Sequence, residues 1–128
     1  MPVHVQWDND DHTVIQLVFE GKWGLEELYP ALSEMYKSVE QEQHIVDSIV
    51  DMVNASTIPS NVLSIRGTIE RNQPDNQGIS VIVGANTLVR SIANILNRVL
   101  KEESEYIFTD TLEEARQAIK DQRQRESS

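Results

Sequence analysis

The sequence predicts an α/β protein: a five-stranded, mostly parallel sheet whose first strand runs antiparallel to the second, with four helices covering its two faces unequally. Two observations carry this prediction. Short β-branched runs with two-residue alternation give way, several times along the chain, to stretches with apolar residues three and four apart. The resulting order, β-β-α-β-α-β-α-β-α, implies parallel strands joined by right-handed crossovers after an opening hairpin. The 128 residues, 39% hydrophobic and 25% charged, suit one domain with one core, and the chain has no internal repeats or low-complexity tracts.

Val3, Val5 and Trp7 alternate with polar residues, Asn9-Asp10-Asp11 supplies turn chemistry, and Thr13 to Glu20 resumes as a β-branched run. After Gly21 to Gly24, the residues Leu25, Leu28, Leu32, Met35 and Val39 mark the first helix. Pro30 lies inside it and predicts a kink, or a regular part that begins near Glu27. Ile45 to Val53 is the third strand. A helix from Ser60 to Arg71 carries Val62, Ile65 and Ile69 on one side, and Arg71 to Gly78, amide-rich and with Pro74, reads as a surface loop.

Ile79 to Val83 is short and almost wholly apolar, as a central strand is. The turn Gly84-Ala85-Asn86 leads to the broadest apolar stripe, Leu88, Val89, Ile92, Ile95, Leu96, Val99 and Leu100, which marks a helix. Tyr106 to Phe108 is the last strand. Asp110 with Glu113 three residues on reads as a capping box opening a final helix with Leu112, Ala115 and Ile119 inward. One domain is expected over residues 1–121, with 122–128 a polar tail that frays.

The two faces of the sheet differ in polarity. On the second strand Ile15, Leu17 and Phe19 oppose Val14, Gln16, Val18 and Glu20; on the third, Val46, Val50 and Met52 oppose Ile45, Asp47, Ile49, Asp51 and Val53. A carboxylate is too costly to bury without a partner, so the second face is expected to be partly open to solvent or to another subunit.

Composition excludes several chemistries. With no cysteine, disulfides, thiolate metal sites and cysteine nucleophiles are impossible, and a reducing cytoplasmic setting is expected. A formal charge of -10 disfavours nucleic acid and anionic membranes, which need clustered Lys and Arg. No signal-like opening or membrane-length apolar run is present. His4, His12 and His44 lack metal-ligand spacing, and no serine sits in a nucleophile elbow. Asp47 and Asp51 point the same way but stand roughly 13 Å apart along one strand, too far to share a proton. No cofactor, metal or catalytic set is therefore expected.

What remains is the carboxyl edge of the sheet, where open α/β sheets bind ligands. Two strand-to-helix turns lie there, Asn54 to Asn61 and Gly84 to Thr87. The first presents Ser56, Thr57, Ser60 and Asn61, with Ser60 and Ser56 as candidate phosphorylation sites, although N-capping by Ser60 or Asn61 also accounts for them. In the second, Gly84 permits a close turn and Asn86 or Thr87 caps the helix, while its free N–H groups would suit an anion. Asp51, on the strand before the first turn, is expected either to help end the strand by bonding local amides or to meet a ligand. Trp23, between Lys22 and Gly24, is expected in the core.

In order, Gly-Lys-Trp-Gly-Leu-Glu-Glu-Leu from Gly21, Ile49-Val50-Asp51-Met52, Ile58-Pro59-Ser60-Asn61, Val83-Gly84-Ala85-Asn86 and Asp110-Thr111-Leu112-Glu113-Glu114-Ala115 resemble a bacterial family of STAS-like proteins, over nearly the whole chain. The resemblance implies a noncatalytic module that binds another protein; the less covered sheet face or the Leu88 to Leu100 stripe makes a homodimer a further option, and the turns at Asn54 to Asn61 and Gly84 to Thr87, with Asp51, make a small-molecule or anion binder, even an enzyme, the alternative. The Asp-Ser-Ser-Gly-like phosphorylation motif of anti-sigma-factor antagonists is absent here, so Ser60 and Ser56 match it by position only.

Overall fold

The computed structural model describes residues 2–57, 59–84 and 106–127. The strands are β1 (Val3–Trp7), β2 (Val14–Gly21), β3 (Val46–Ala55), β4 (Gln77–Val83) and β5 (Tyr106–Thr109). They form one sheet in the order β1-β2-β3-β4-β5, β1 antiparallel to β2 and every other pair parallel. The described helices are α1 (Leu25–Glu40), α2 (Arg66–Asn72) and α3 (Leu112–Ser127), with a 3-10 turn over Val62–Ile65. The helix expected over Leu88 to Leu100 lies outside the described residues.

Asn9 makes the β1–β2 turn. Its side-chain carbonyl accepts the N–H groups of Thr13 and Val14, and its amide donates to the Thr13 hydroxyl at 2.7 Å. The chain then turns through His12, a non-glycine residue at φ 56°, whose ring stacks on Trp7 with centroids 4.1 Å apart.

α1 runs unbroken through Pro30, starting at Leu25 rather than near Glu27. Gly24 precedes it, its N–H donating to the Glu27 carboxylate at 3.0 Å. The carbonyl that Pro30 deprives of a donor belongs to Glu26, and both residues are exposed, so water can satisfy it. At the far end, the Asn76 amide bonds the carbonyls of Val39, Glu42 and His44, tying the end of α1 to the start of β4.

Each step from β2 to β3 to β4 moves the same way across the sheet, so crossovers of one hand put α1 and α2 on one face. There Ile15, Leu17, Phe19, Val46 and Ile82 meet Leu28, Leu32, Met35, Tyr36 and Val39 of α1, with Ile65 and Ile69 alongside. Trp23 joins this core, 5% exposed and edge-on to Phe19. α3 follows the last strand and packs on the opposite face, where Ala115 and Ile119 meet Val14, Ile49, Val81 and Val83.

Three sequence expectations change. Residues 122–127 are the last turns of α3 rather than a separate tail. The half-polar face is partly open, as expected, at Ile45 and Val53, 54% and 55% exposed, but it is closed at Asp47, 4% exposed, because Arg123 from the expected tail reaches it at 2.7 Å. β4 begins at Gln77 instead of Ile79, because the β3–β4 register shifts between Val46 and Ser48 and draws Gln77 and Gly78 into the sheet.

Candidate functional site

Backbone pairing builds the carboxyl edge. Beyond the last β2–β3 pair, Gly21 with Ala55, the Ser56 N–H donates to the Gly21 carbonyl at 2.9 Å. On the other side of β3, Gly84 N–H donates to Thr109 at 3.2 Å. Gly84 has φ 91°, and a Cβ there would lie 2.6 Å from the backbone nitrogen of Val53. The close turn expected at Gly84 is thus a backbone-on-backbone contact that only glycine permits.

The predicted site residues fall into separate groups. Asp51 pairs with Val18 and Val83 across the sheet, one residue before Gly84. Its carboxylate accepts the Val53 N–H at 3.1 Å, the local bond expected of it, but β3 continues to Ala55 and Asp51 does not end it. Ser56 and Thr57 are exposed on the loop that follows, as are Ser60 and Asn61 further along. Neither Ser60 nor Asn61 caps a helix through its side chain. The chain first makes a 3-10 turn in which the Asn61 backbone carbonyl accepts the Ser64 N–H and hydroxyl, and α2 begins only at Arg66. Asn86 lies outside the described residues. Beside the loop stands Val53, 55% exposed, which sequence reasoning passed over because alternation alone places it with Asp51.

The opposite, amino edge holds the charged groups that interact most. Asp8 accepts a two-pronged contact from Arg116 at 2.7 to 3.2 Å and a further bond from the Gln16 amide. The Arg116 hydrogen bonds hold the Asp8 carboxyl below its ordinary 3.8 against the opposing effect of burial, with Gln16 and the Arg116 charge adding to the lowering. The same contact raises Arg116. These perturbed groups form a structural ion pair between β1 and α3, and they do not adjoin the hydroxyl loop.

A test of that pair follows from its sign. A depressed folded-state pKa stabilises the fold above the unfolded value of 3.8 and loses that contribution as pH falls through the folded value. Asp8→Asn should therefore cost about 1 kcal/mol near neutrality, modest because Arg116 is part-exposed. The gap between wild type and variant in urea midpoint should start to narrow as pH falls below about 3.8 and close only at more acid pH, below the lowered folded-state value; a gap that does not narrow would refute the assignment.

Near the same edge, His12 and His44 flank Glu42 at 3.6 and 3.9 Å, and His44 bonds the His12 carbonyl at 2.8 Å. Among the described residues no group of three or more His, Asp or Glu side chains is arranged to hold a metal. An open groove of 420 Å³ lies between the end of α1 and the α2–β4 loop, lined by Glu40, Arg71, Asn72, Gln73, Pro74, Asp75 and Asn76. It is remote from the hydroxyl loop. Among the described residues no helix is long and apolar enough to cross a membrane.

No protein-family model matches the chain, and no curated protein matches it. Function must be argued from these residues.

Proposed function

We propose that this chain is a noncatalytic, regulatory interaction module of STAS-like fold that engages a partner protein through the hydroxyl-rich loop 54–61 and the adjoining strand ends. The observation that carries the reading is the exposure of Val53 beside Ser56 and Thr57. An exposed apolar side chain near the end of a strand that leads into a hydroxyl-bearing loop can be desolvated by a partner without stranding a buried charge. One Asp51 carboxylate oxygen accepts the Val53 N–H of its own strand. Ser60 and Ser56 are exposed, and a phosphate on either would add nearly two negative charges to the same loop.

The test is affinity capture from the source cells with wild type, Val53→Lys and Ser60→Asp immobilised in parallel. Wild type should retain one partner at stoichiometric level, and Val53→Lys should weaken it by about tenfold or more. Ser60→Asp should weaken it too. No partner under several conditions, or one indifferent to both substitutions, would overturn the reading; light scattering shows whether the partner is a second copy.

A further inference from the structure

We propose that α3 is a detachable cover on the sheet, held by a short apolar stripe and two ion-pair latches, and that it opens as a unit while β1 to β4 and α1 stay folded. The contrast with α1 motivates this. Among the described residues α1 buries Leu28, Ala31, Leu32, Met35, Tyr36 and Val39, whereas α3 fully buries only Ala115 and Ile119, flanked by Leu112 and Ala118. Every residue after Ile119 is polar.

Arg116 and Arg123 stand seven apart, two helical turns, and so share a face. Arg116 holds Asp8 at the end of β1; Arg123 holds Asp47 at the start of β3 and donates to the Thr13 carbonyl at 2.7 Å. Both carboxylates are only 6% exposed, but the arginines are 44% and 39% exposed. Ions reach the cationic half of each latch, so salt screens it in part while leaving the apolar core around α1 untouched. α3 also carries its own start: the Thr111 hydroxyl accepts the Glu114 N–H and donates to its carboxylate, both at 3.1 Å. These bonds are local and survive undocking, which makes Asp110–Thr111 the hinge. Opening bares Val14, Ile49 and Val81, a surface that the closed form hides.

Amide hydrogen exchange on the whole chain tests this, at about 0.02 M and about 0.5 M sodium chloride and constant pH. The readout is the interior of α3, Ala115 to Gln122, set against Ile15 to Phe19 in β2. The expected result is one shared rate across that interior, at least about tenfold faster than in β2 and faster still at high salt. Arg116→Ala with Arg123→Ala should raise the α3 rate further and leave β2 unchanged. An α3 interior that exchanges with the β2 rate and denaturant dependence at both salt levels would overturn the proposal, as would faster exchange indifferent to salt. Should the double variant fail to fold, the wild-type salt series decides alone.

Discussion

Gly78→Ala should destabilise the protein by about 2 kcal/mol, the cost of forcing a carbon into filled space and displacing a hydrogen-bonded carboxylate, measured as a shift in urea midpoint at unchanged slope. A Cβ at position 78 would lie 1.9 Å from an Asp47 carboxylate oxygen and 2.9 Å from Ile45 Cγ2. Asp47 has nowhere to go. One oxygen accepts the Ile79 N–H at 2.9 Å, the other is held by Arg123, and the residue is 4% exposed. Moving it leaves the part-buried Ile79 amide without its acceptor, and an unsatisfied donor is the expensive outcome. The decisive comparison is the same substitution in an Asp47→Ala background, where only the exposed Ile45 side chain has to shift and alanine should cost less than about 1 kcal/mol. Equal costs in both backgrounds would show that the carboxylate is not responsible.

Gly84→Ala should cost a comparable amount, about 2 to 4 kcal/mol, because two penalties coincide. At φ 91° an L side chain is strained wherever it points. Here the new carbon would also sit 2.6 to 2.9 Å from three backbone atoms of Met52 and Val53, which cannot rotate aside as a side chain can. Gly21 is the internal control. It too has positive φ, 63°, but nothing lies within 4 Å of the added carbon; Gly21→Ala should cost only about 1 to 2 kcal/mol of backbone strain. If the two alanine variants unfold at the same urea concentration, the close approach at Gly84 is not what fixes that turn.

These glycines also mark how far the chain could be read unaided. Gly84 stood out because a strand ends on it and a turn must follow, a local cue. Gly78 gave no cue, since its need arises from Asp47, 31 positions earlier, and the run from Arg71 reads as loop by composition. The sheet itself was legible, because Ile15, Leu17 and Phe19 against Val14, Gln16 and Val18 fix which way β2 faces. The partner of Asp47 was not: Arg123 lies in a stretch with no apolar rhythm, and charge pairing across 76 positions leaves no periodic trace. On the carboxyl edge, Ser60 and Asn61 looked like caps because an α-helix was assumed to start beside them, and the 3-10 turn moved that start to Arg66. Exposure, which singles out Val53, depends on the neighbours and is invisible in a one-dimensional pattern.

The strand order, in which every strand lies beside its predecessor, bears on how the molecule assembles. Each new strand finds its template already in place as the polypeptide emerges from the ribosome, so the sheet can lengthen vectorially without waiting for a distant segment to be inserted. Asp8 and Asp47 precede their arginines in the chain, so until α3 is made both carboxylates stay hydrated on the growing layer. That keeps a negatively charged guard beside Val14 and Ile49 during the interval when the nascent surface is most prone to self-association.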